Sequence, residues 1–210
     1  VLDLGAGAGG PARVLLEAMV RSDSSAVPRF VLTDLAPMPE VWAELEAAWP
    51  SRMASVPTPV DATAIDPKIA EGRARVIINV LHHFPPAVAR GVFADAIAQG
   101  SPIFISESFG REPWQFLVNF PPTGIPALLT APLLTPRRRL AKAALVWWTP
   151  LGALASAWDG LVSTLRVYEE DELRAMVASI PGHEQFRWVF GRYPYPPLGR
   201  GLFFYGIPHS

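Results

Sequence analysis

The chain has 210 residues, half of them hydrophobic, a formal net charge of −1 and no cysteine. That length fits one domain, or one domain with an insertion, and the apolar share excludes a disordered chain. Near-neutral charge gives no electrostatic ground for a nucleic-acid partner. The lack of thiols excludes disulfides and thiolate metal sites, and the four histidines, at 82, 83, 183 and 209, have no zinc-like spacing, so no metal is expected.

The chain opens on a strand over 1–4, Val1-Leu2-Asp3-Leu4, that runs into Gly5-Ala6-Gly7-Ala8-Gly9-Gly10 and then a helix over 11–21. Glycines let backbone approach a ligand closely, and the following helix points its free N–H groups at that ligand. Pro11 suits a first helical position, where its missing N–H costs nothing. Strands are then expected over 30–33, part of 51–60, 75–80 and 102–107, with helices over 39–49, 67–72 and 85–99. Val76-Ile77-Ile78 is continuously apolar, as in a strand covered on both faces. This alternation predicts a doubly wound parallel α/β sheet.

From 111 to 162 the pattern breaks. Residues 113–136 carry six prolines and no charge, Arg137-Arg138-Arg139 follow, and 143–158 are again uncharged. The prolines argue against straight membrane-spanning helices. Two readings remain for this apolar insertion: a helical cap over a site, or a face that touches a membrane surface with its arginines at the headgroups. A helix over 169–180 then leads to strand-like runs over 185–190 and 201–207. The connection over 191–200 is too short and too rich in proline for a crossover helix, so the pair is expected to be an antiparallel hairpin.

The spacing Gly5-x-Gly7-x-x-Gly10 also satisfies a dinucleotide fingerprint. Asp3 weighs against it, because a carboxylate there repels a pyrophosphate and suits a ligand with an ammonium group. With Asp3, the opening stretch resembles motif I of the class I S-adenosylmethionine-dependent methyltransferases, whose sheet also ends in an antiparallel strand. The resemblance runs through 1–210 and implies a Rossmann-like, mostly parallel seven-stranded sheet with a C-terminal antiparallel hairpin. The insertion over 111–162 is its departure from a minimal domain of that family. Because Val1 already lies in a strand, the natural start and one or two covering helices are expected upstream.

The resemblance implies S-adenosylmethionine as cofactor, with Asp3, Gly5, Ala6, Gly7 and Gly9 around its amino-acid end. Asp34, with Leu35 beside it, ends the second strand and can accept from both ribose hydroxyls, although an acid there serves NAD equally and can also cap a helix or hold a turn. Asp61 is expected directly after the third strand, and with Ala62 it falls where the family binds the adenine edge; an ordinary Asx turn is the alternative. Asn79, Val80 and Leu81 resemble the family's motif IV, with backbone lining the cofactor. His82 or His83 can take a proton from a hydroxyl or amine acceptor. Glu107, at the end of the fifth strand, can orient a substrate or act as a second base. Trp158, Asp159, Arg166 and Tyr168 are substrate-pocket candidates, with an Asp159–Arg166 ion pair as the alternative.

The signature of methyltransferases that act on DNA bases or protein glutamine is missing, so the expected acceptor is a small molecule. The aromatics of the insertion, Trp114, Phe116, Phe120, Trp147, Trp148 and Trp158, favour a lipophilic one. No signal peptide is visible, so a cytoplasmic location is expected, with peripheral membrane contact as the second reading. Two rival functions stay open: a nicotinamide-dependent oxidoreductase, and a non-catalytic membrane-associated scaffold on the same fold.

Overall fold

The computed structural model describes residues 1–22, 27–134, 138–196 and 198–209. In chain order it runs β1 (Leu2–Leu4), α1 (Gly10–Arg21), β2 (Phe30–Thr33), α2 (Pro39–Ala48), β3 (Met53–Ser55), α3 (Pro67–Ala70) and β4 (Arg75–Ile78). A 3₁₀ turn (Leu81–His83), α4 (Pro86–Ala98) and β5 (Ile103–Glu107) follow. Next come α5 (Pro113–Asn119), a π turn (Phe120–Gly124), α6 (Ile125–Leu134), α7 (Arg139–Trp147) and α8 (Leu151–Arg166). The chain closes with α9 (Glu170–Ala178), β6 (Phe186–Tyr195) and β7 (Gly199–Pro208).

The sheet has seven strands in the order β3-β2-β1-β4-β5-β7-β6, a Rossmann-like arrangement that ends in an antiparallel hairpin. The pairs β1–β2, β1–β4, β2–β3 and β4–β5 are parallel. Helical segments separate these strands in sequence, as the alternating pattern predicts, and each begins at or beside a proline that needs no hydrogen-bond acceptor there. Pro11 is the second helical residue rather than the first, since Gly10 already belongs to α1.

The chain forms two compact units. The first comprises Val1–Ser106, Glu170–Gly191 and Phe203–Ser210; the second comprises Glu107–Glu169 and Arg192–Leu202. In the first unit, Ala12 and Leu16 of α1 and Trp42 of α2 pack with Phe30, Leu32, Met53 and Val76 of the sheet. Elsewhere in its core, Phe93, Trp188 and Phe204 meet edge-on and stacked at ring separations of 5.4–5.9 Å. Arg75 is fully buried, its Nη1 donating to Asp95 Oδ2 at 2.6 Å. Burial lowers the Arg75 pKa, against the raising influence of Asp95. The pair compensates a charge that the interior otherwise penalises.

Two expectations need correction. The strand expected within 51–60 is only Met53–Ser55, so Asp61 lies well beyond its end. The hairpin strands are longer than 185–190 and 201–207, absorbing most of the stretch read as a loop. Strand β6 is a sheet edge, where Pro194 breaks no ladder. Its length is supported by aromatic rings lying over glycines of the opposite strand: Phe203 over Gly191 and Trp188 over Gly206 in the first unit, Tyr193 over Gly201 in the second. A Cβ at any of the three would fall within 2.4 Å of the ring.

The second unit is helical where the sequence shows an apolar insertion. Phe116 stacks on Phe120 at 4.9 Å, and Gly160 of α8 leaves room for the Phe116 ring. Pro121 and Pro122 bring no N–H, and the backbone widens there into the π turn. The Trp147 indole donates to the Leu129 carbonyl at 3.0 Å, joining α7 to α6. Arg192 bridges Glu112 and Glu169 at 3.2 and 2.8 Å. Among the described residues no helix is long and apolar enough to cross a membrane. Arg137 of the arginine run lies outside the described residues.

Candidate functional site

Strand order reverses between β1 and β4, and open α/β sheets bind ligands beyond the carboxyl ends of their strands at such a point. There the two strand ends come together: a Cβ on Gly5 would lie 2.8 Å from Val80 Cγ1. Gly5, Gly7 and Gly9 have φ of 71°, 51° and 76°, a region that side chains disfavour, so the turn needs glycine. Gly9 caps α1, and nothing lies within 4 Å of where a Gly7 Cβ would stand.

The Gly7 peptide is held from both sides. Its N–H donates to Asp34 Oδ2 at 2.8 Å, and its carbonyl accepts from the Trp42 indole N–H at 2.8 Å. Asp34 Oδ1 accepts from Ala36 N at 2.9 Å. A carboxylate offers about four lone-pair sites, so Asp34 fixes the loop and keeps acceptor capacity for a ligand. Of the alternatives for Asp34, the helix cap does not arise, because the N-cap position of α2 is Met38, whereas the turn acid is present in the bond from Ala36 N. Leu35 is exposed.

Asp3 is buried at 3% exposure, and its Oδ2 has no hydrogen-bond partner among the described residues. Burial first, and the Asp34 charge second, push its pKa up to about 7. A buried carboxyl with an unsatisfied oxygen costs energy and is set up to pair with a cation. Asp61 is drawn toward Asp34 by the bond from Val60 N to the Asp34 carbonyl, 2.9 Å. Its Oδ1 accepts from Thr63 N and Thr63 Oγ1, both at 2.8 Å, and these bonds hold its carboxyl below the usual carboxylate range. The Asx turn is therefore present, and Oδ2 makes no bond among the described residues.

Asn79 follows β4 with φ 57°, a left-handed conformation that Asn tolerates better than most residues, and its N–H donates to the Ser106 carbonyl at 2.8 Å. Val80 leads into the 3₁₀ turn of Leu81, His82 and His83. His82 is buried and His83 exposed, with ring centroids 4.1 Å apart.

The first unit thus gathers Asp3, Gly5, Ala6, Gly7, Gly9, Asp34 and Val80, with Asp61, Ala62, Asn79, Leu81, His82 and His83 on the adjoining segments. The other candidates belong to the second unit. Glu107 is buried there; Trp158, Asp159 and Arg166 are exposed along α8, with Tyr168 half-buried just after it. Asp159 and Arg166 form no ion pair among the described residues, seven positions apart on one helix. Sequence reading missed Trp42, whose partner is a backbone carbonyl 35 residues away. Its one visible signal is a tryptophan inside a predicted helix, which reads as core.

No protein-family model and no curated protein sequence matches the chain. Solved structures do match in fold. The CMeT domain of the citrinin polyketide synthase aligns over 98% of this chain and 45% of its own, with TM-score 0.56 and 11% identity. The O-methyltransferase NcsB1 of neocarzinostatin biosynthesis aligns over 99% and 48%, with TM-score 0.53 and 13% identity. A Rhodobacter sphaeroides protein provisionally assigned to the Zn-dependent alcohol dehydrogenases aligns over 100% and 84%, with TM-score 0.54 and 13% identity. This chain spans less than half the length of the two methyltransferase chains. Its fold is that of the class I S-adenosylmethionine-dependent methyltransferases.

Two outcomes are expected from this geometry. Asp3 titrates near 7 when folded and near ~4 when unfolded, so the folded state binds the extra proton between those values. Stability contributed by Asp3 therefore falls as pH rises from about 4 to about 7, then levels off. Thermal melts across this range should show that decline in the wild type relative to Asp3→Asn, with the variant the more stable at pH 8. Trp42→Phe keeps the buried ring but leaves the Gly7 carbonyl unpaired, which should cost about 1–3 kcal/mol in urea denaturation. Hydrogen exchange at the Gly7 amide should accelerate in that variant while the amides of β2 hold their protection.

Proposed function

We propose that the chain transfers a methyl group from S-adenosylmethionine to a small, lipophilic acceptor. The observation that carries this reading is the buried, unpartnered Oδ2 of Asp3 beside an open glycine turn. A pyrophosphate would bring negative charge toward that oxygen; the ammonium of the cofactor's amino-acid end brings the positive charge it lacks. The donor set fits the rest of the group: Asp34 for the ribose hydroxyls with Leu35 alongside, Asp61 and the Ala62 N–H for the adenine edge, and the backbone of Asn79, Val80 and Leu81 along its length. Ala6 and Gly9 complete the turn, and the N-terminus of α1 suits the cofactor's carboxylate.

When bound, the cofactor supplies an electrophilic methyl group on a sulfonium centre. The chain's own task is then to hold an acceptor in line with it, which can supply much of the acceleration. His82 or His83 accepts the proton of a hydroxyl or amine acceptor, and Glu107 serves as orienter or second base. Trp158, Asp159, Arg166 and Tyr168 are the residues proposed for acceptor selectivity. NcsB1, solved with S-adenosylhomocysteine and 1,4-dihydroxy-2-naphthoic acid, supports an aromatic hydroxyl compound as the kind of acceptor to try first.

The likeness to the Rhodobacter protein favours a second reading, a nicotinamide-dependent oxidoreductase. Calorimetric titration separates the two. S-adenosylhomocysteine should bind and NAD should not, and Asp34→Ala should weaken binding at least tenfold, since each charge-assisted bond to a ribose hydroxyl contributes about 1.5–3 kcal/mol. Binding of NAD alone would install the oxidoreductase reading. Binding of neither by the folded chain would leave the scaffold reading.

A further inference from the structure

The helices of the second unit reverse the usual arrangement of a surface helix. Leu140, Leu145 and Trp147 of α7 and Trp148 just after it are all exposed, Leu140 by 86% and Trp148 by 85%. Val146 of α7 packs against Gly152. On α8, Leu151, Leu154 and Trp158 form an exposed apolar stripe at i, i+3, i+7. Helices α5 and α6 expose large apolar side chains in the same way. Among the described residues, more than half of the exposed large hydrophobic side chains fall within 113–158. Scattered apolar residues on a surface need no explanation, but four successive helices with exposed large apolar side chains do.

Charge narrows what can cover them. Residues 113–158 contain no aspartate or glutamate, and their charges are Arg137, Arg138, Arg139 and Lys142; the rest of α8 adds one acid and one base, Asp159 and Arg166, both exposed. Arg138 and Arg139 are exposed at the head of α7, next to Leu140. A second copy of the chain would bring the same cations and no acid from 113–158, setting like charges against each other in a symmetric pair. No described helix can span a bilayer. Exposed apolar side chains, tryptophans and a run of cationic residues at the head of α7 together match helices that lie in the interfacial plane of a membrane with anionic headgroups.

We propose that the helical unit, through α7 and α8, docks on the surface of an anionic lipid bilayer. This goes beyond the catalytic reading and does not depend on it. The test is flotation of the full chain with vesicles of phosphatidylcholine alone and of phosphatidylcholine containing about one third phosphatidylglycerol. The chain should float with the anionic vesicles, less so with the neutral ones, and raised salt should release it; tryptophan emission should shift to the blue on binding. Leu140→Glu and Trp148→Glu alter side chains that are almost wholly in solvent, so the fold and any binding of S-adenosylhomocysteine should be unchanged while partitioning falls roughly tenfold. Retention in the aqueous fraction with both vesicles would overturn the proposal, as would equal flotation of the two variants and the wild type. A dimer in light scattering that Leu140→Glu dissociates, without vesicle binding, would assign this apolar surface to self-association instead.

Discussion

A carboxyl group sealed inside a protein with one oxygen unsatisfied is costly, and this fold bears that cost at Asp3, in the middle of its sheet. Strand β1 lies between β2 and β4 at the point where strand order reverses, so the end of β1 is enclosed on both sides by neighbouring strands. Thr33 donates to the Asp3 carbonyl, not to its side chain. The nearby Asp34 charge adds repulsion to the burial penalty. The glycine turn that follows this acid has left-handed backbone that keeps side chains away, a Gly7 peptide clamped by Asp34 and Trp42, and a helix whose N-terminus opens beside it. A site under this electrostatic load is a poor place for a pyrophosphate and a good one for a zwitterion.

The turn and the class of sheet were legible from local signals. Glycine spacing after an apolar strand, alternating strand and helix patterns, and prolines at helix starts each act within a few residues, and they point to the same doubly wound sheet. Asp34 and Asn79 were legible for the same reason, as polar residues at the ends of apolar runs. The hairpin was legible as a hairpin but not in its length. Its prolines and glycines read as loop until the edge position of β6 and the rings of Phe203, Trp188 and Tyr193 are known.

What stayed hidden depends on distance along the chain. Trp42 reads as a core residue of α2; only the fold brings its N–H to Gly7. Arg75 reads as the polar start of a strand, yet it is fully buried and paired with Asp95 of α4. Asp61 was placed by its sequence neighbours at a strand end, whereas it is held by a bond from Val60 to Asp34, across from a strand that stops at Ser55. The insertion showed its apolar character plainly. It could not show which side chains of each helix face water, and on α7 and α8 these include Leu140, Leu151, Leu154 and Trp158.

The central claim is that Asp3 selects a ligand by its ammonium group. The most direct measurement compares S-adenosylhomocysteine with 5′-methylthioadenosine, which keeps the adenosine and lacks the amino-acid end, by calorimetry on the wild type and on Asp3→Asn. The account predicts that the wild type prefers S-adenosylhomocysteine by at least tenfold, and that most of this preference disappears in the variant while 5′-methylthioadenosine binds both equally. A preference of the same size in both proteins would contradict it.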